Sequence, residues 1–259
     1  MLDPHRSQSP THPSTQSLVI TIDGPAGVGK STAAKLLAKR LSLRYLDTGA
    51  TYRTLAYAAL RQQIDLNDRV RLARLGQRLP ITLEPLPSGG VRVLLNGEDV
   101  TRRIRTERVT EAAAVLAQYP VVRRALVSLQ RRLARSHSVV AEGRDTGSVV
   151  FPHATHKFFL TANTSIRARR RQEELRGIQG HAPSATQIAH KLRERDRLDR
   201  TRRVGPLVKP SDAVIVNTSA LGVDDVVERL LQHVAKNSDC AAGKNSVSYM
   251  FLSPQSHGV

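Results

Sequence analysis

The chain has 259 residues, with 40 Lys and Arg against 22 Asp and Glu for a formal net charge of +18, and its side chains are 40% hydrophobic but only 3% aromatic. That length accommodates one large α/β domain or a domain with inserts, built on a core of Leu, Val, Ile and Ala. The lone Cys240 excludes a disulfide framework and a thiolate metal site within one chain, and no apolar run approaches the ~18 residues of a membrane span.

Residues 1–16 are rich in Pro, Ser, Thr and His, lack the apolar segment of a secretory signal, and read as a disordered tail of a cytoplasmic protein. An apolar strand follows at Leu18–Ile22, then GPAGVGKS at Gly24–Ser31, then a helical pattern over Ser31–Leu41. Strand, glycine loop and helix in that order describe a phosphate-binding loop. Its glycines let successive backbone N–H groups curl around phosphate oxygens, and the helix N-terminus adds partial positive charge. The expected triphosphate site comprises Gly24, Pro25, Ala26, Gly27, Val28, Gly29, Lys30, Ser31 and Thr32. Lys30 reaches the outer phosphates, and the Ser31 hydroxyl sits on Mg²⁺ together with waters.

A short strand at Arg44–Leu46 leads to the turn Asp47–Gly49 and a helix over about Ala50–Arg61; Asp65–Leu79 also reads as helical. Ile81–Leu86 and Val91–Leu95 flank Pro87-Ser88-Gly89-Gly90 as a hairpin, a small antiparallel unit inside an otherwise alternating chain. Glu107–Gln118 and Val121–Arg135 are helical, with Pro120 at a helix start. Ser138–Ala141, Lys157–Leu160 and Ala213–Val216 read as buried parallel strands, with helices at Ser165–Arg176, Thr186–Arg200 and Val223–Ala235. Residues 237–259 lose periodicity and read as a loose tail. Alternation of this kind implies a mostly parallel sheet covered on both faces.

Glu142-Gly143-Arg144-Asp145 falls just outside the carboxyl end of a strand, where ligands bind in open parallel sheets. Arg144 suits a phosphate there, and Glu142 or Asp145 a substrate donor or a magnesium water. Arg193–Arg203 reads RERDRLDRTRR, in which Asp196 with Arg200, and Arg195 with Asp199, are spaced as i,i+4 ion pairs. The same arginine density, with Arg167, Arg169, Arg170 and Arg171 on the preceding helix and Gly177 and Gly180 as hinges, suits a lid closing over phosphates. Phosphoryl transfer makes use of such cations, because its transition state spreads negative charge and is stabilised by positioning and neutralisation. A closing lid that excludes water fits a kinase better than a hydrolase. The histidines show no metal spacing, and GxSxG is absent. No basic patch is interleaved with aromatics for stacking nucleic acid.

The segments ITIDGPAGVGKST (Ile20–Thr32), YLDTGATYR (Tyr45–Arg53), NGEDVTRRIRT (Asn96–Thr106), EGRDTGSVVFPHA (Glu142–Ala154) and RERDRLDRTRRVGPL (Arg193–Leu207) resemble bacterial cytidylate kinases in order and spacing. The resemblance covers about Leu18 to Ala235. It implies a P-loop α/β fold with a five-stranded parallel core, a monophosphate-binding insert at about 62–120 and a short Arg-rich lid at about 167–205, within a domain of 17–236. It implies transfer of the ATP γ-phosphate to CMP or dCMP by a monomer. Carried over by motif, Thr48 and Arg53 face the CMP phosphate, Arg123 and Asp145 the cytosine, and Arg195 and Asp199 the ribose. Arg170, Arg171 and Arg202 neutralise phosphate near ATP, and Lys30, Arg144 and Arg202 form the catalytic set. One position departs: where the family commonly carries a serine that hydrogen-bonds the base, this chain has Ala114. A kinase of UMP and a basic, RNA-associated NTPase are the alternative readings, and nonspecific contact with nucleic acid is compatible with the charge.

Overall fold

Short, β-branched runs and amphipathic helices alternate as the sequence predicts, and a computed structural model describes residues 17–87, 90–135 and 137–242. The first sixteen residues, and the part of the expected C-terminal tail beyond Ala242, lie outside the described residues. In chain order, β1 (Val19–Asp23) passes through the phosphate loop into α1 (Lys30–Arg40), and β2 (Arg44–Asp47) runs directly into α2 (Thr48–Arg61). Then come α3 (Arg69–Gln77), β3 (Ile81–Pro85), β4 (Val91–Leu95), β5 (Glu98–Asp99), α4 (Glu107–Leu116) and α5 (Pro120–Ala134). β6 (Val139–Glu142), a π-helical turn at Thr146–Val150, β7 (His156–Thr161), α6 (Thr164–Gln179), α7 (Ala185–Thr201), β8 (Val214–Asn217) and α8 (Val223–Ala242) complete it.

The main sheet has five strands, all parallel, in the order β2-β6-β1-β7-β8. Its side chains alternate between faces as the pleat requires. Ile20, Ile22 and Val140 join one cluster with Ala33, Leu37 and Val227 from α1 and α8. Val139, Ala141 and Leu46 join another with Ala134 of α5. Register places Ile22 of β1 and Asp47 of β2 on either side of Glu142 of β6. The carboxyl ends of three strands therefore meet at one edge, and the polar residues that follow them share a single crevice.

The antiparallel unit gains a third strand, β5, which the sequence reading left out. Its signal was present: Asn96 (φ 51°) and Gly97 (φ 81°) form the two-residue turn that favours Asn-Gly. Helix α3 starts at Arg69 rather than Asp65 because Asp68 caps it, its carboxylate accepting from the Arg71 N–H at 2.9 Å. Pro120 does occupy the first turn of α5. Helix α8 continues past residue 237 to Ala242, correcting the expected start of the loose tail. No Gly or Pro interrupts it before Gly243.

Candidate active site

The phosphate loop is shaped by glycines at positive φ, Gly24 at 143°, Gly27 at 77° and Gly29 at 90°. At Gly24 a Cβ would overlap the carbonyl of Leu160 in β7, so only glycine lets the loop leave the sheet there. Lys30, at the first position of α1, is only 5% exposed, and its Nζ donates to the Pro25 carbonyl at 2.6 Å. Burial, reinforced by Arg144, lowers its pKa to about 7 against the opposing pull of Glu142. Ser31 and Thr32 open to solvent in the first turn of α1. The Val28 carbonyl accepts from the Thr218 hydroxyl at 3.0 Å, so the segment after β8 fixes the loop from below.

Asp23, which the sequence reading passed over, ends β1 almost fully buried. Its two oxygens accept from the N–H groups of Thr146 (2.8 Å) and Gly147 (2.7 Å). Burial raises its pKa, against the lowering effect of those two N–H groups. The strand that feeds the phosphate loop is thereby tied to the π-helical turn behind Arg144 and Asp145. A carboxylate closing an otherwise apolar strand was the available signal.

On the other side of the crevice, Asp47 caps α2, accepting from Ala50 N–H at 2.8 Å, and pairs with Arg53 Nη2 at 2.7 Å and Arg105 Nη2 at 3.6 Å. Thr48 donates its hydroxyl to the Glu142 carbonyl at 2.6 Å, and the Tyr45 hydroxyl donates to the Glu142 carboxylate. Arg123, 2% exposed, lies inside α5 and pairs with Asp145 through Nη2. Its Nε and Nη1 have no hydrogen-bond partner, and its guanidinium stands 5.8 Å from the Tyr52 ring. Burial raises the pKa of Asp145, although Arg123 and Arg202 both oppose it.

Arg202 bridges the two acids, with Nη2 3.2 Å from Asp145 and Nη1 3.6 Å from Asp199, while its Nε donates to the Gly205 carbonyl. Arg144 Nε pairs with the other oxygen of Asp199 at 2.8 Å. Arg195 is solvent-exposed, yet it lies within electrostatic reach of Arg144, Asp199 and Arg53. Partial desolvation first, then Arg144, Arg53 and Arg171, lowers its pKa to about 10, although Asp199 opposes them.

The i,i+4 pairs expected within α7 do not form. Asp199 pairs with Arg144 and Arg202 rather than Arg195, and Asp196 pairs with Arg167 of α6 at 2.6 Å rather than with Arg200. A helix-surface pair is worth only about 0.2–0.5 kcal/mol. A buried carboxylate needs a partner at close range, and the inward faces of α6 and of the Glu142–Asp145 segment provide one. Arg170 donates to Thr218 and to the Leu221 carbonyl, at 2.6 to 3.3 Å, and Arg171 pairs with Glu174 at 2.7 Å. Gly180 ends α6 at φ 74°, whereas Gly177 lies within the helix.

The crevice thus joins a phosphate loop, a buried Arg123–Asp145 pair with free donors, and a cluster of cations in which Arg144 lowers the pKa of both Lys30 and Arg195, and Arg53 that of Arg195. Such a site neutralises phosphate on two sides and offers hydrogen bonds to a polar planar group beside it. A family model described as cytidylate kinase matches residues 20–236. A cytidylate kinase from Pelotomaculum thermopropionicum is 47% identical over 216 residues, covering 83% of this chain and 95% of that protein. One from Geobacillus kaustophilus is 46% identical over 83% of this chain and 95% of its own length. Among solved structures, a gluconokinase from Sinorhizobium meliloti 1021 aligns with a TM-score of 0.46 at 15% identity, over 88% of this chain and 98% of that one. With a family match across nearly all of its described length, the chain belongs to the cytidylate kinase family.

Proposed function

We propose that the protein transfers the γ-phosphate of ATP to CMP or dCMP, yielding ADP and CDP or dCDP, as a cytoplasmic monomer. The observation that carries this reading is Arg123: a buried guanidinium, oriented by Asp145, with two N–H positions unpaired. Leaving donors of a buried charge unpaired is costly, and acceptor atoms on a base would relieve that cost. Arg53, which Asp47 holds, takes the acceptor phosphate in this reading, and Thr48, bonded to the Glu142 carbonyl, shapes the same pocket. Asp199 and Arg195 take the ribose. Residues of about 62–120 serve as the acceptor-binding insert and about 167–205 as the lid.

The acceptor phosphate needs no strong base, because its second pKa of about 6 leaves it mostly dianionic near neutral pH. Catalysis is then alignment and neutralisation. Backbone N–H groups of Gly27–Lys30 hold the donor phosphates, and Lys30 and Arg144 offset the charge of the transferred group, with Arg170 and Arg171 on the ATP side. Arg202, expected near ATP, is instead engaged with Gly205, Asp145 and Asp199, and in this reading it orders the acceptor side and adds its charge there. Among the described residues no cluster of three His, Cys, Asp or Glu is arranged as a metal cage. Mg²⁺ usually takes one or two protein oxygens and fills its shell with phosphate and water. The solvent-facing Ser31 hydroxyl suits that arrangement. When bound, the ion would neutralise charge on the donor phosphates.

The test is a coupled assay of ADP release at fixed ATP with CMP, dCMP, UMP and AMP as acceptors. Turnover is expected to favour CMP and dCMP, and to fall at least about 100-fold in Lys30→Ala and Arg144→Ala while both variants stay folded. No turnover with any nucleotide, or near-normal turnover in both variants, would overturn the reading.

A further inference from the structure

We propose that Arg167 and Asp196 are positioning residues that key the lid helices α6 and α7 to the phosphate loop through Ala26. Ala26 is held from both sides of its backbone. Its N–H donates to Asp196 Oδ1 at 3.3 Å, and its carbonyl accepts from Arg167 Nη1 at 3.0 Å. The two side chains close the ring with their own 2.6 Å pair, and Arg167 Nη2 is steadied by the Thr164 hydroxyl at 3.1 Å. Both are nearly inaccessible, Arg167 at 5% and Asp196 at 4% exposed. The methyl group of Ala26 sits in a small apolar cluster of its own with Ala168 of α6 and Ile188, Ala189 and Leu192 of α7. That cluster is separate from the main core, and α6 and α7 otherwise pack chiefly on each other. One residue of the loop thus plugs into the lid by both polar groups and by its side chain.

The consequence follows from peptide planarity. The Ala26 carbonyl and the Gly27 N–H belong to one rigid plane and point in opposite directions. By holding that carbonyl, Arg167 fixes where the first glycine N–H of the phosphate cradle points, and a cationic donor on the carbonyl also strengthens that N–H as a donor. The Ala26 N–H itself is spent on Asp196 and is not offered to phosphate. Lid docking and the shape of the phosphate cradle are therefore two readings of one contact. This rests on the reading of the loop as the donor nucleotide site.

Calorimetric titration of Mg²⁺-ADP, without acceptor, into the parent, Asp196→Asn, Arg167→Met and Ile188→Ala tests it, alongside KM for ATP and CMP and the thermal midpoint. ADP dissociation constants are expected to rise about tenfold in Asp196→Asn and Arg167→Met, the scale of a charge-assisted hydrogen bond. Ile188→Ala, which takes no part in the nucleotide site, should give a rise of several-fold in ADP dissociation constant and ATP KM with CMP KM nearly unchanged. ADP affinity within twofold of the parent in the folded variants, even with a lowered midpoint, would make the pair merely structural and overturn the proposal. Should the two charge variants fail to fold, Ile188→Ala decides alone. If the parent binds ADP yet phosphorylates no nucleotide, the functional reading fails while the ADP affinities still judge the keying of the lid.

Discussion

Replacing Gly205 by alanine adds one methyl group at the point where the chain, leaving α7, passes over the Arg123–Asp145 pair. Gly205 has φ 60°, and a Cβ there would overlap the Arg123 guanidinium, with Cζ at 2.8 Å, and the Asp145 carboxylate. The left-handed backbone costs a non-glycine residue about 1–2 kcal/mol, and forcing a methyl into a filled site about 1–3 kcal/mol more. A total of about 2–5 kcal/mol is relieved by lifting the 203–207 segment off the Arg123–Asp145 pair. That movement also withdraws the carbonyl that Arg202 donates to. If this strain falls on the acceptor site, kcat/KM for CMP drops by roughly 30-fold to 5000-fold. ADP affinity should stay near that of the parent, because the phosphate loop lies on the other side of the crevice. Gly97→Ala is the control: its φ is 81° but nothing lies within 4 Å of the added Cβ, so only backbone strain of about 1–2 kcal/mol is expected, with no kinetic effect. Steady-state kinetics with varied CMP, calorimetry with ADP and thermal unfolding separate these contributions. A Gly205→Ala enzyme with kcat/KM within threefold of the parent and an unchanged midpoint would refute the packing of this segment against the pair.

Two further outcomes are expected. Ala114→Ser should raise the preference for CMP over UMP, as a ratio of kcat/KM, by about 2- to 10-fold, the scale of one restored hydrogen bond; an unchanged ratio in the acceptor panel would show that residue 114 does not face the base. Burial would raise the Asp47 pKa, but Arg53 and Arg105 outweigh it and hold it below the ordinary 3.8. The folded carboxylate therefore keeps its charge to lower pH than the unfolded one, so its contribution is complete above 3.8 and is lost as pH falls through the depressed value. Asp47→Asn retains the helix cap and should destabilise the protein by about 1–3 kcal/mol near neutral pH. The difference from the parent in denaturant titrations should shrink below pH 3.8, and a gap constant into that range would contradict the ion-pair account.

Most of the frame was legible because its signals are local. The strand, glycine loop and helix around Lys30 arrive consecutively, and the apolar runs ending at Asp47 and Glu142 are short enough to read only as strands. Where the reading fell short, a local signal was weak or was overruled. The two residues of β5 are too few to show periodicity, and the Asn96-Gly97 turn was the sole marker. The π-helical turn at Thr146–Val150 is held by the buried carboxylate of Asp23, more than a hundred residues earlier, and no neighbouring pattern announces it.

The pairing of charges marks the division most clearly. From residues alone, an arginine-rich helix after a phosphate loop specifies phosphoryl transfer, since cations and glycines are the chemistry that phosphate requires. Which acid meets which arginine is settled only on folding. Asp196 takes Arg167 and the Ala26 peptide, Asp199 takes Arg144, and Arg123 in the first turn of α5 takes Asp145. Helical spacing offers exposed partners worth tenths of a kcal/mol, while burial imposes on each charge a need for close partners that must come from wherever the packed elements bring them. Composition and motif therefore carry the class of reaction, and long-range packing carries the pairing that orients Arg123 and that joins α6 and α7 to the phosphate loop at Ala26.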